Sequence, residues 1–160
     1  MSVEIIPAFD HLAEIRDLFR EYTDMLVSGD PSFREYLALQ NYDSELEHPF
    51  EKYGPPGGKL LLAQLDGLPA GCIALRRLDE HSCEMKRLYV RPDFRGRGIG
   101  SLLMRRILSD AREIGYRRML LDTLPFLERA IQMYRSAGFY EIPGYNDSPM
   151  STSIYMRLDL

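Results

Sequence analysis

The densest run of groups able to do chemistry in this sequence is Arg91-Pro92-Asp93-Phe94-Arg95-Gly96-Arg97-Gly98-Ile99-Gly100, where three glycines fall within five positions among arginines. A turn without Cβ atoms exposes its amides, so several N–H groups can converge on one anion. A helix that starts there adds unpaired donors and the positive end of its dipole. A diphosphate fits such a cradle. Two common phosphate loops do not match it: the Gly-Lys-Ser/Thr ending of a Walker loop is missing, and the three glycines lack the GxGxxG spacing. Standing alone, the triplet reads as an ordinary glycine-rich turn, and the surrounding string has to decide.

Hydrophobic periodicity supplies the elements that hold this turn. Val3 to Ile6 reads as a short strand, and Asp10 can cap a helix with Leu12, Ile15, Leu18, Phe19, Tyr22, Met25 and Leu26 on one face, ended by Gly29. A second short helix follows through Tyr36, Leu37 and Leu39, then a polar loop from Asn41 to Gly58. Lys59–Leu65 and Ala70–Leu78 flank Asp66-Gly67 as a hairpin, because Asp-Gly tolerates the positive φ of a tight turn. Ser82–Arg91 is a third strand, and the glycine turn leads from it into a helix over Gly98–Gly115. Strands at Met119–Thr123, Phe139–Ile142 and Ile154–Leu158 surround a last helix over Phe126–Ala137. The order is β, α, α, β, β, β, α, β, α, β, β, an α+β pattern with a strand–turn–helix unit at its centre.

With 160 residues, 45% of them apolar and 28% charged, the chain reads as one domain, residues 1–160. The first residues show no basic leader, and no apolar run approaches the roughly 20 residues of a membrane helix, so the reading is cytoplasmic with no membrane partner. Cys72 and Cys83 alone make neither a disulfide framework nor a metal site. A net charge of -4 argues against a nucleic-acid binder. The charge is unevenly spread: ten Lys or Arg face three acids between Lys86 and Arg118, whereas Asp43, Glu45, Glu47 and Glu51 form an acidic run. An anion and a cationic amine each have a matching stretch.

The string Glu84-Met85-Lys86-Arg87-Leu88-Tyr89-Val90-Arg91-Pro92, followed by Arg95-x-x-Gly98-x-Gly100, resembles motif A of the GNAT superfamily of N-acetyltransferases, whose signature is Q/R-x-x-G-x-G/A. The later string Ala130-Ile131-Gln132-Met133-Tyr134-Arg135-Ser136-Ala137-Gly138-Phe139 is similar to that family's next motif, a helix ending in Tyr-x-x-x-Gly-Phe. The resemblance runs from about residue 59 to the end. It implies a mixed, mostly antiparallel sheet of about seven strands flanked by about four helices, with acetyl-CoA as cosubstrate, no metal, and direct transfer of an acetyl group to a primary amine.

By the same resemblance, the turn Arg95, Gly96, Arg97, Gly98, Ile99, Gly100 and Ser101 holds the pyrophosphate of the coenzyme. The strand end Leu88, Tyr89 and Val90 pairs with its pantetheine arm, and an N–H near Leu88 or Tyr89 faces the thioester oxygen. Tyr134 takes the position of the general acid and Glu84 that of a general base, with simple ion pairing of Glu84 as the alternative. Tyr22, Tyr145 and Asn146 lie where the family lines its acceptor site. Leu127 stands where many members have an asparagine that contacts the coenzyme, so the adenine end is held differently. Two rival readings remain: a catalytically silent acyl-CoA-binding domain, and a module using the glycine turn for ATP. A homodimer through the final strands is compatible with the pattern.

Overall fold

In the computed structural model, which describes residues 2–160, the Asp66-Gly67 hairpin joins β2 (Lys59–Leu65) to β3 (Leu68–Arg77), with Asp66 and Gly67 both at positive φ. Around it one seven-stranded sheet is built from β1 (Val3–Pro7), β2, β3, β4 (Ser82–Val90), β5 (Arg118–Thr123), β6 (Tyr140–Ile142) and β7 (Ile154–Asp159). Their spatial order is β1-β2-β3-β4-β5-β7-β6, antiparallel at every pairing except β4 with β5. The strand count and mixed character match the expectation.

Among the described residues there are six helices where about four were expected: α1 (Leu12–Gly29), α2 (Phe33–Leu39), α3 (Tyr42–Glu47), α4 (Pro49–Tyr53), α5 (Ile99–Ile114) and α6 (Glu128–Ala137). The two additions fall in the stretch read as a loop. At six and five residues they are too short to show a hydrophobic period. Buried Glu45 and Tyr53 organise them instead. Asp10 does not cap α1, whose N-cap is His11 without a side-chain hydrogen bond, and α6 begins two residues later than expected, at Glu128.

Each face of the sheet carries its own core. One packs Leu61, Ile73, Leu75, Cys83 and Met85 against Ile99, Leu103, Ile107 and Ala111 of α5, the four-residue spacing of a buried helix stripe. The other packs Leu60, Leu62, Cys72 and Ala74 against Ile15, Leu18 and Phe19 of α1 and Tyr53 of α4. Each fully buried aliphatic side chain stabilises the fold by roughly 1.5–3 kcal/mol relative to exposure. Strand β4 therefore alternates its side chains between two packed layers, and this alternation positions the site.

Two irregularities of β4 matter. It pairs with β5 only from Ser82 to Glu84, opposite Arg118 to Leu120, while β5 keeps its partner β7 as far as Thr123. Beyond Glu84 the two strands part. Against β3, Cys72 pairs with Tyr89 and Ala74 with Lys86, so Arg87 and Leu88 together oppose Ile73. This is a β-bulge, with Arg87 in the left-handed region at φ 62. Such a backbone costs a non-glycine residue roughly 1–2 kcal/mol. It is held by the Arg87 guanidinium, whose Nε donates to Glu45 Oε2 at 2.8 Å and whose Nη2 donates to Glu45 Oε1 at 3.0 Å.

Candidate active site

A groove of about 980 Å³ runs along the parted edge of β4, between the glycine turn and α6. Leu88, Tyr89, Val90, Arg95, Gly96, Gly98, Ile99, Gly100 and Ser101 line it, together with Tyr22, Leu127 and Tyr134. Of the residues expected to hold the coenzyme, Arg97 alone is not part of this lining. The size suits a large cosubstrate, since small-molecule sites span roughly 300–1,000 Å³. Gly96 and Gly98 adopt φ 79 and 76, and a Cβ built on either would meet nothing within 4 Å. Their requirement is conformational, and the space above them is open. Gly98 is the N-cap of α5 and offers no side-chain cap, so the first amides of that helix are left for an incoming anion. Arg95 braces the turn from outside: its Nε donates to the Val90 carbonyl at 3.0 Å and its guanidinium lies over the Tyr89 ring.

Gly100 is different. Its φ is not in the left-handed region, and its nearest neighbours to a Cβ, Met133 Sδ and Val90 Cγ2, lie at ordinary contact distance, 3.8 Å. Gly100→Ala should therefore keep the fold and raise its stability by roughly 0.5–1 kcal/mol through helix propensity. Gly98→Ala should cost roughly 1–2 kcal/mol from the left-handed backbone and weaken coenzyme binding. Melting curves of the two variants with and without acetyl-CoA check this pair.

A second, narrow cavity lies on the other side of the split. Met85, Lys86, Arg87 and Leu88 of β4 face Asp122 and Thr123 of β5 across it, with Tyr36 of α2, Gln40 and Met150 among the remaining walls. The groove and this cavity share Tyr22, Leu88, Leu127 and Tyr134. Tyr134 is buried, and burial, reinforced by Tyr22 and Asp122, raises its phenol well above the usual tyrosine range. The phenol is therefore protonated at neutral pH. Bulge residue Leu88, opposite Ile73 with Arg87 and unpaired by β5, sits at the same junction.

Glu84 does not line either cavity. It is 1% exposed, accepts a hydrogen bond from Arg76 Nε at 2.7 Å and another from the Tyr145 hydroxyl at 2.6 Å. Burial alone would raise its pKa, but Lys86, Arg76 and these hydrogen bonds bring it below the usual carboxylate range. In the structure Glu84 is thus ion-paired with Arg76, the contact named as the alternative to a general-base role. The carboxylate lining the narrow cavity is Asp122. It accepts hydrogen bonds from the Tyr36 hydroxyl and, at 3.1 Å, from Asn146 Nδ2, which also donates to the Tyr36 oxygen at 2.8 Å. Tyr145 and Asn146 thus support the cavity from behind its wall, whereas Tyr22 lines it directly.

Of the acidic run at 43–51, Asp43, Glu47 and Glu51 are exposed, but Glu45 does not join them. Glu45 is 3% exposed and is occupied by Arg87 and by Lys52 Nζ at 2.8 Å. Sequence reasoning missed Lys86, Gln40, Asp122 and Thr123. The available signals were weak: two adjacent cations inside a β-rich run, and a polar pair ending the apolar strand Met119–Thr123. Cys72 and Cys83 are buried, with burial raising both thiols, Cys83 to about 12, which disfavours the thiolate a nucleophile needs. Among the described residues no group of three or more His, Cys, Asp or Glu is arranged to hold a metal ion, and no helix is long and apolar enough to cross a membrane.

A glycine turn feeding an uncapped helix beside a split sheet, with a tyrosine at the junction of two cavities, suits acyl transfer from a phosphate-bearing cosubstrate. Comparison with known proteins agrees. The profile of the acetyltransferase (GNAT) family matches residues 12–139. The chain is 37% identical over 162 residues to an uncharacterised N-acetyltransferase of Schizosaccharomyces pombe, covering 100% of this chain and 95% of that protein. It is 34% identical over 136 residues to human N-acetylaspartate synthetase, covering 78% of this chain and 43% of that one. The structure of the PaiA N-acetyltransferase of Thermoplasma acidophilum, solved in complex with coenzyme A, superposes with a TM-score of 0.76 at 18% identity and full coverage of both chains. The chain belongs to the GNAT family of acetyltransferases.

Proposed function

We propose that residues 1–160 act as one acetyl-CoA-dependent N-acetyltransferase domain, working in the cytoplasm on a primary amine by direct attack within a ternary complex. The observation that carries this reading is the junction of the two cavities at Leu88 and Tyr134. The groove has room for a large substrate and the narrow cavity, of about 30 Å³, for no more than the reacting end of another, and the two meet where a backbone donor and a buried phenol stand. The glycine turn fits a pyrophosphate through the open space above Gly96 and Gly98 and the uncapped start of α5. Coenzyme A bound in the Thermoplasma relative, and the amino-acid product in the name of the human one, support the same assignment.

Acetyl-CoA supplies the acetyl group as an activated thioester. The amide near Leu88 donates to the thioester oxygen, a contribution typically worth about 3 kcal/mol where such donors have been removed. Asp122 receives the proton that the acceptor ammonium must lose, directly or through Tyr36. Tyr134 holds the proton that the departing sulfur needs. With both thiols buried, no acyl-enzyme forms. Leu127, on the shared wall, gives the junction an apolar boundary where a polar contact is common in the family.

A thermal-shift titration tests the assignment. Acetyl-CoA should raise the melting temperature by an amount that grows with ligand concentration, while ATP should not. Release of thiol with an amine present should follow. Equal stabilisation by ATP would favour the nucleotide-binding reading, and stabilisation without thiol release on any amine would favour the silent binding domain.

A further inference from the structure

We propose that the acceptor is a free amino acid, held as a zwitterion with its ammonium at Asp122 and its carboxylate at Lys86. This rests on the transferase reading above and adds the acceptor's chemical class. Lys86 is 7% exposed, and among the described residues it has no carboxylate within ion-pair distance. Its Nζ donates to a neutral acceptor, Gln40 Oε1, at 2.6 Å. The neighbouring cations are all matched: Arg87 and Lys52 share Glu45, and Arg76 is paired with Glu84. Glu84 and Asp122 act on Lys86 only from beyond contact distance, and its Nζ otherwise lies over the Tyr36 ring, so the cost of burying the ammonium is further reduced by a counter-ion arriving from the cavity that Lys86 lines.

Two further groups on the same walls await a partner. Thr123 Oγ1, on a side chain 7% exposed, and Gln40 Nε2 are buried without a hydrogen-bond partner. Gln40 Nε2 belongs to the amide whose oxygen already accepts from Lys86 and Arg87. An ammonium, a hydroxyl and an amide N–H on one cavity are a donor set for a carboxylate. Burial and the nearby Arg87 lower the Lys86 pKa to about 8, so an incoming anion restores a charge that the protein alone disfavours. The same cavity presents one carboxylate, Asp122, with Tyr36 and Asn146 fixing its orientation. A simple amine satisfies Asp122 and leaves Lys86 without a contacting anion. A peptide N-terminus does the same, because its first carbonyl is an uncharged amide. An amino acid satisfies both ends.

The test uses matched sets: L-alanine, L-alaninamide and ethylamine, then L-leucine, L-leucinamide and isoamylamine, then L-aspartate with its diamide, each assayed for acetyl transfer. The same compounds are titrated calorimetrically into the protein saturated with coenzyme A. At least one free amino acid should exceed its carboxamide and its decarboxylated amine by a hundredfold in kcat/KM or in affinity. Lys86→Met should raise KM for that amino acid at least tenfold and collapse the preference, with KM for acetyl-CoA unchanged and the melting temperature equal or higher. Thr123→Val should act in the same direction with a smaller loss. Carboxamides, simple amines or carboxyl-blocked peptides used as well as the free amino acid would overturn the proposal, as would a preference that survives Lys86→Met. If acetyl-CoA binds and no amino acid binds or reacts, this inference alone fails; if acetyl-CoA does not bind, the transferase reading fails first.

Discussion

Replacing Tyr134 by Phe should lower kcat by about 10²–10³-fold while leaving the melting temperature and the affinity for acetyl-CoA unchanged. The ring is a packing element: it lies against Phe139 with centroids 5.8 Å apart, close to the Gly138 stop of α6. Phenylalanine keeps that contact, so the variant removes only the hydroxyl. The hydroxyl is held protonated, because burial raises its pKa far above the usual value, with Tyr22 and Asp122 adding to the effect. A group in that state can give a proton to a departing thiolate and cannot act as a base at neutral pH. No alkaline fall in rate should therefore come from Tyr134 while the protein stays folded. Steady-state kinetics beside a thermal melt decide the matter. An unchanged kcat would mean that water protonates the sulfur and that Tyr134 is merely core.

Arg87→Ala should destabilise the protein by about 3–5 kcal/mol, a large fraction of the roughly 5–15 kcal/mol that holds a typical domain together. The substitution strands the carboxylate of Glu45, leaving Lys52 as its remaining ion-pair partner, and removes the cation over the Tyr42 ring. Glu45→Ala should cost a similar amount by leaving a guanidinium buried. The pair Glu45→Leu with Arg87→Met should recover much of the loss, since a packed apolar pair avoids burying either charge alone. Urea unfolding of the three variants measures this. The acid limb carries the same information. Burial by itself would raise the Glu45 pKa, yet Arg87 and Lys52 overcome it and bring it down to about 2. With the folded value below an unfolded value of about 4.3, this stabilisation is complete above the unfolded pKa. It is lost as pH falls through the folded one. Acid unfolding should show that loss in the native chain, whereas additive costs in the three variants would contradict the coupling.

The glycine turn was legible in the sequence because its chemistry is local: Gly96 and Gly98 need positive φ, and the helix they start announces itself by periodicity. Tyr134 was legible through its fixed distance to Gly138 and Phe139. The narrow cavity was not, because its walls come from α1, α2, β4, β5, α6 and the segment before β7, joined only by tertiary packing. Glu84 illustrates the limit: its position in the strand agrees with the family pattern, but the Arg76 side chain across the hairpin at the β3–β4 pairing claims it. The run Asp43, Glu45, Glu47 and Glu51 illustrates it again. Its composition suggests a surface for cations, and only the fold reveals that Glu45 faces inward to hold the bulge at Arg87. Short helices α3 and α4 exist because of that inward residue and of Tyr53, not because of any propensity readable along the chain.

The central claim is that acetyl-CoA and the acceptor meet at Leu88 and Tyr134 in one complex, with no covalent enzyme species between them. The most direct test is an initial-velocity matrix in which acetyl-CoA and an accepted amine are varied together, with intact-protein mass measured after exposure to acetyl-CoA alone. Intersecting double-reciprocal lines and an unmodified mass are the predicted result. Parallel lines with an acetylated protein would contradict it, and would require a nucleophile that the buried Cys72 and Cys83 do not provide.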